Sequence, residues 1–180
     1  LHREILLSAT WLQSSELSAG KATIDPTNQF LWRFPSRRLE AEVIRDSILA
    51  ASSQLDTTMF GPGPLDESHR RRSIYFMIKR SRLVPIMQVF DQPEPLVSQG
   101  SRPSTTLAPQ ALLFMNNPQV VQWARALAGQ LDSSQPDKAI HELYLRTLTR
   151  EPTAAELAES RAFFDSQSTS YSKNKNASQL

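Results

Sequence analysis

The sequence is poor in the features that identify many functions directly. It contains no cysteine, so disulfides, cysteine-ligated zinc, thiolate catalysis and covalent c-type haem attachment are excluded within this chain. No run of about 18 apolar residues occurs, so the sequence predicts no membrane-spanning helix. The formal net charge of +2 over 180 residues is too small to indicate nucleic acid or an anionic membrane as a partner.

The sequence also lacks a recognisable catalytic motif or cluster of metal ligands. A serine nucleophile needs a base, and the three histidines, His2, His69 and His141, are scattered without a carboxylate partner in an evident motif. We expect surface or boundary positions for all three. The sequence therefore predicts no cofactor and no bound metal in this chain.

Apolar residues at helical spacing are what the sequence does contain. The clearest pattern runs from Leu39 to Leu55, and similar patterns predict helices over residues 1–15 and 118–131 and from Asp137 onward. Thr153 and Glu156 form a capping box that opens a last helix. We predict a single, mainly α domain over residues 1–165, with at most a minor β element near residues 73–79. The Ser, Asn, Gln and Lys-rich residues 166–180 predict a disordered tail.

Two carboxylates on the predicted helix after Ser36 are the first candidate for chemistry. Glu42 and Asp46 lie four residues apart on one helix face, with Arg45 beside them. Such a pair can perform acid–base catalysis or hold a metal ion. The same pattern is also typical of a solvated face with an Arg–Glu pair, which is the commoner case.

A group of arginines brackets a short apolar run that includes Tyr75. Arg70, Arg71 and Arg72 precede this run, and Arg80 and Arg82 follow it. Basic residues interleaved with aromatic ones can bind single-stranded nucleic acid. Because the net charge is close to zero, the alternative is that Arg72 and its neighbours pair with carboxylates of the chain itself, such as Asp91 or Glu42. We expect no nucleic-acid partner.

The most informative stretch runs from Arg102 to Pro118, where polar side chains precede an apolar helix. Thr105 or Thr106 can cap that helix, and Ser104 and Arg102 together with free backbone amides can hold an anion. The simpler alternative is capping plus an arginine that fastens the loop. Further polar candidates in this stretch are Gln110 and Asn116.

These motifs occur together in an order that resembles one family. The ordered set comprises Asp25, Pro26 and Asn28; Leu31 to Arg33; Arg37 to Asp46; Arg71 to Tyr75; Phe90, Asp91 and Pro93; and Ser104 to Asn116. It is similar to the C-terminal domain of unknown function of large planctomycete proteins, which often carry an N-terminal cytochrome c-like module. The resemblance covers about residues 1–164. It implies an exported, cell-envelope polypeptide whose upstream domains are the partners of this part, and it implies no particular activity.

Two functions are therefore predicted as alternatives. The first is a non-catalytic interaction or scaffold module in which Glu42, Arg45, Arg72 and Asp91 pair with one another in the interior. The second is a hydrolase-type domain that acts on an envelope carbohydrate or another polar substrate, with Glu42, Asp46, Asp91 and Arg102 lining an open cleft.

Overall fold

The computed structural model describes residues 1–173, and this part of the chain is mainly helical. The described helices are α1 (His2–Leu6), α2 (Ala19–Ile24), α3 (Ala41–Ala51), α4 (Pro85–Val89), α5 (Ala108–Asn116), α6 (Pro118–Ala128), α7 (Pro136–Leu148) and α8 (Ala154–Lys173), with a 3₁₀ turn at Ser73–Tyr75. The predicted mainly α fold class is confirmed. The chain forms two compact units, residues 1–39 and the residues from Glu40 onward. Whether these fold as the one predicted domain stays a prediction.

The first unit is organised around the buried carboxylate of Asp25. The backbone N–H groups of Gln29 and Phe30 donate to its two oxygens at 3.0 and 2.8 Å. The indole of Trp32 donates to the Asp25 carbonyl at 2.9 Å. Hydrogen bonds to the ionised carboxylate lower the pKa of Asp25, and the bond from the Phe30 N–H has the largest effect. The chain therefore forms a turn after Asp25 that continues into an irregular loop through residue 33.

The second unit has its hydrophobic core where α3, α4 and α6 meet. Its buried apolar members are Ala41, Leu49, Val84, Ile86, Met87, Phe90, Val120 and Trp123. The amphipathic pattern that predicted α3 includes Ile44 and Ile48, which pack against this core. Burial of these side chains is what positions the polar residues of α3, α5 and the loops between them.

Several local predictions need correction. The helix expected after Ser36 begins only at Ala41, so Ser36 does not cap it. Near residues 73–79 the sequence allowed at most a minor β element, and the structure has only an isolated bridge between Lys79 and Arg82, since the chain turns at Ser73–Tyr75. Helix α5 begins at Ala108, and its first turn is closed by the Gln110 side chain, which accepts from the Leu107 N–H at 3.2 Å. Thr105 and Thr106 are therefore not its caps.

The predicted capping box of α8 is present. The Glu156 carboxylate accepts from the Thr153 N–H at 2.9 Å, and the Thr153 hydroxyl accepts from the Glu156 N–H at 3.3 Å. Helix α8 continues through Lys173, so residues 166–173 of the expected disordered tail are helical. The rest of that tail, residues 174–180, lies outside the described residues. No helix within residues 1–173 is long and apolar enough to cross a membrane.

Candidate functional site

Arg45 is the centre of the polar network in the second unit. Its side chain is fully buried, although the sequence favoured a solvated position. The guanidinium donates to the carbonyls of Glu67, His69 and Arg71 and to the Ser73 hydroxyl. The rings of Phe76 and Trp123 lie 4.9 and 5.6 Å from its central carbon. Burial lowers the pKa of Arg45 to about 10, which leaves it charged at neutral pH.

Asp46 fixes the start of the 3₁₀ turn from the same helix. Its Oδ1 accepts from the Ser73 N–H at 2.8 Å and from the Ser73 hydroxyl at 2.7 Å. Arg72 lies on its other side, with 3.8 Å between Nε and Oδ2, and is more than half exposed. The Asp46 carboxylate therefore serves as a hydrogen-bond acceptor for a distant loop.

Arg71, rather than Arg72, fastens the glycine- and proline-rich loop. Its guanidinium donates to the carbonyls of Thr58, Phe60 and Pro62 and stacks 4.2 Å from the centre of the Tyr75 ring. The Tyr75 hydroxyl accepts from the Phe60 N–H at 3.3 Å. The predicted candidate Tyr75 is thus a platform for Arg71. Planar stacking with several simultaneous hydrogen bonds is an arrangement that suits arginine and not lysine.

Asp91 organises the second long loop. Its backbone is left-handed, with φ of 60°, a conformation that aspartate tolerates better than most residues. The Thr105 N–H donates to Asp91 Oδ2 at 2.7 Å, and the Thr105 hydroxyl lies 3.0 Å from each carboxylate oxygen. The buried Gln110 amide donates to the carbonyls of Val89 and Thr105 at 3.0 and 3.1 Å. These three predicted residues therefore form one cluster that joins α4 to α5.

Arg102 connects this loop to the beginning of α3. It donates from Nε to the Asp91 carbonyl at 3.2 Å and from a terminal nitrogen to Glu42 Oε2 at 2.7 Å. The Glu40 carboxylate lies 3.4 Å from the other terminal nitrogen. Glu42 thus pairs with Arg102, not with Arg45 on its own helix.

An open groove runs between α3 and residues 72–78, with a volume of about 420 Å³. Its apolar lining includes Val43, Ile74 and Ile78, all of them exposed. Its charged lining consists of Glu40, Glu42, Asp46, Arg72 and Arg102. Some of the predicted residues therefore form a buried network, as expected for a scaffold module, and others line an open groove, as expected for a hydrolase.

Three predicted site residues take no part in this arrangement. Ser104, Thr106 and Asn116 are exposed, and Asn117 instead caps α6 by accepting from the Gln119 N–H at 2.8 Å. Sequence reasoning missed Arg71, Ser73 and Glu40 as participants. Arg71 is adjacent to Arg72 in the sequence, and no local pattern separates the two. Within residues 1–173, no group of three or more potential ligand side chains could hold a metal ion.

The fold and the site define a class: a mainly helical domain whose loops are held by buried arginine and aspartate side chains, with a charged groove alongside. The chain belongs to PSD1, a family described as protein of unknown function (DUF1553), whose model matches residues 1–164. No curated protein and no solved structure matches it significantly.

Proposed function

We propose that the chain is a non-catalytic interaction module of a larger, exported planctomycete polypeptide. The observation that carries this proposal is the direction of the polar contacts: the charged motif residues bind backbone atoms of the chain itself, and Arg45 among them is fully buried. Arg45 and Arg71 donate mainly to carbonyls, and Asp46 and Asp91 accept from backbone N–H groups. Side chains committed in this way hold loops in shape and are not available to bind a substrate.

The groove between α3 and residues 72–78 is the surface through which the module would act. Glu40 is 59 % exposed at one part of it and Arg72 is 56 % exposed at another, beside the apolar side chains of Val43, Ile74 and Ile78. Apolar contacts flanked by both signs of charge favour a partner surface that is itself mixed, with an apolar centre and a charged rim. The partner we propose is an upstream domain of the same polypeptide. A link to electron transfer would then come through an upstream cytochrome c-like module in the cell envelope.

A hydrolase-type domain that acts on an envelope carbohydrate is the second candidate. One observation favours the hydrolase: Glu42 and Asp46 both line the open groove of about 420 Å³. Against it, one oxygen of each carboxylate is already hydrogen-bonded, by Arg102 and by Ser73 respectively.

The test is binding of this chain to the separately expressed upstream part of its polypeptide, measured by isothermal titration calorimetry. We expect Ile74→Asp and Ile78→Asp to weaken binding by about tenfold or more, as truncation of central interface residues does. The matched control is Met115→Asp on α5, an exposed apolar residue that does not line the groove. This control should bind like the unmodified chain.

Hydrolysis of envelope polysaccharide by the unmodified chain and by Glu42→Gln and Asp46→Asn separates the two candidates. The interaction module predicts no hydrolysis by any of the three proteins. If the unmodified chain hydrolyses the polysaccharide and the rate falls by about a hundredfold or more in either variant, the interaction module is overturned in favour of the hydrolase. Absence of binding to the upstream part, with the chain folded, would also overturn the proposal.

A further inference from the structure

A second cavity lies away from the groove, between the loop after α3, residues 68–70 and helix α6. Its volume is about 290 Å³, and its side chains come from three separate segments. Polar groups dominate its lining: Gln54, Ser68, Arg70, Gln119 and Gln122, above a floor formed by the buried Trp123. None of these residues belongs to the network around Asp91 or to the groove.

The walls of this cavity are held in place by the rest of the fold. The Gln54 N–H donates to the Leu49 carbonyl at 2.8 Å, and the Arg70 carbonyl accepts from the Asp56 N–H at 2.9 Å. Arg45 binds the carbonyls on either side of Ser68, those of Glu67 and His69. The backbone of the cavity walls is therefore preorganised, which lowers the entropic cost of binding a ligand.

The two glutamines of α6 are oriented toward complementary roles. Gln119 Nε2 donates to Gln122 Oε1 at 3.0 Å across one turn of the helix. This bond leaves the Gln119 oxygen as an acceptor and the Gln122 NH₂ group as a donor. A ligand hydroxyl both donates and accepts, so neighbouring hydroxyls of a sugar ring match such an alternating pair.

The positive charge of Arg70 favours a hydroxyl-rich ligand that also carries a negative charge. No carboxylate lines the cavity, and the guanidinium of Arg70 makes no hydrogen bond or ion pair with any residue between Leu1 and Lys173. Arginine pairs well with a carboxylate through two parallel hydrogen bonds. An aromatic ligand is disfavoured, because Arg45 lies over the Trp123 ring at 5.6 Å and that side chain is almost fully buried.

We propose that this cavity binds one sugar-acid unit of the uronic-acid type, with Arg70 on its carboxylate and Gln54, Gln119 and Gln122 on its hydroxyls. A cavity of about 290 Å³ accommodates a single ring, close to the lower limit for small-molecule sites. The inference is independent of the proposed interaction function, since it uses neither the groove nor a partner domain.

The test is ligand-observed NMR and calorimetry on the whole chain, with D-glucuronate, D-glucose and acetate as probes. We expect glucuronate to bind at millimolar concentration, glucose to bind about tenfold more weakly because it lacks the charge, and acetate to show no binding. Arg70→Gln should make glucuronate and glucose bind equally, whereas Gln122→Leu should weaken both. The control Arg72→Gln carries the same change two residues away and outside the cavity, and should leave glucuronate binding unchanged.

The outcomes of this sugar-binding test do not depend on those of the partner-binding test, because the cavity and the groove share no residues. Failure of glucuronate to bind the folded chain would overturn the proposal, as would glucuronate binding that survives both cavity variants. Acetate binding as strong as that of glucuronate would mean that the site recognises only a carboxylate, which also contradicts it. An oligouronate that binds more tightly than the monosaccharide would identify the end of a polymer as the source, and equal affinity would identify the free sugar acid.

Discussion

Charged residues stabilise two regions of the second unit in different ways. Around α3, a buried guanidinium and the Asp46 carboxylate bind loop atoms 22 to 28 residues away in the sequence, most of them backbone atoms. In the pair α7 and α8, exposed side chains bind one another, as Arg161 does with Asp137 and Asp165 at 3.0 Å each. Exposed pairs of this kind contribute little, because water and salt screen them, whereas removal of a buried charge leaves its partners unsatisfied.

The largest effect is expected at Arg45. Arg45→Met should lower the free energy of unfolding by about 3 to 5 kcal/mol, because the carbonyls of Glu67, His69 and Arg71 lose their donor in a buried place. Urea unfolding monitored by circular dichroism measures this loss. The same change at the surface, Arg161→Met, should cost only about 0.5 kcal/mol or less. Equal losses in the two variants would remove the distinction between the regions.

The second largest effect is expected at Gly63 in the loop that Arg71 fastens. A Cβ at this position would lie 2.5 Å from the Tyr75 carbonyl oxygen and 2.9 Å from the Met77 nitrogen, so backbone must move. We expect Gly63→Ala to destabilise the chain by about 1 to 3 kcal/mol. Gly129→Ala is the control, since a Cβ there meets nothing closer than 3.5 Å and the residue has a right-handed φ of −67°. A stability of Gly63→Ala equal to that of this control would show that the loop yields easily.

A smaller loss is expected from Thr105→Val. This change keeps the size of the side chain but removes the hydroxyl that lies 3.0 Å from both oxygens of Asp91. We expect a loss of about 1.5 kcal/mol, the lower end of the range for a hydrogen bond to a charged group, because Thr105 is only partly buried. The neighbouring Thr106→Val, at an exposed position, should change stability by less than about 0.5 kcal/mol. Differential scanning calorimetry on both variants measures the contrast, and a reversed order would contradict the role given to Thr105.

The difference between local and long-range contacts explains which features the sequence could predict. The mainly α class and the capping box of α8 follow from local signals, namely helical spacing and the pair Thr153 and Glu156 three positions apart in the chain. The burial of Arg45 does not follow from such signals, because its acceptors are carbonyls of a loop with no periodic pattern.

Selection of individual site residues met the same limit. The sequence selected residues that do form polar contacts in the fold, namely Glu42, Asp46, Asp91, Thr105 and Gln110. Spacing in the sequence alone could not show that Glu42 pairs with Arg102 or that Asp46 binds Ser73. Asn116, a predicted member of the polar network, is exposed, and the adjacent Asn117 instead caps α6. Non-local hydrogen bonds depend on the packed fold, and sequence patterns carry little information about them.

The last prediction concerns pH and tests whether the buried region behaves as a low-dielectric site. The His69 ring meets the Phe76 ring edge-on, with 4.3 Å between the ring centres, and its Nδ1 accepts from the Arg71 N–H at 3.1 Å. Burial, followed by the charges of Arg45 and Arg71, lowers the pKa of His69 from 6.5 to about 4, although Asp66 and Asp46 act in the opposite direction. The folded chain therefore holds this imidazole neutral where the unfolded chain would protonate it.

As pH falls from about 6.5 to about 4, the unfolded state takes up a proton that the folded state does not, so stability should decrease in that window. His69→Gln preserves an acceptor for the Arg71 N–H and cannot titrate. We expect its stability relative to the unmodified chain to rise as pH falls through this window and to stay constant above about pH 7. Carboxylates shared by both proteins cancel in the difference, which urea unfolding at a series of pH values would measure. A difference that is flat from pH 7 to pH 4 would mean that water reaches His69 and that the region around Arg45 is no drier than the exposed pairs of α7 and α8.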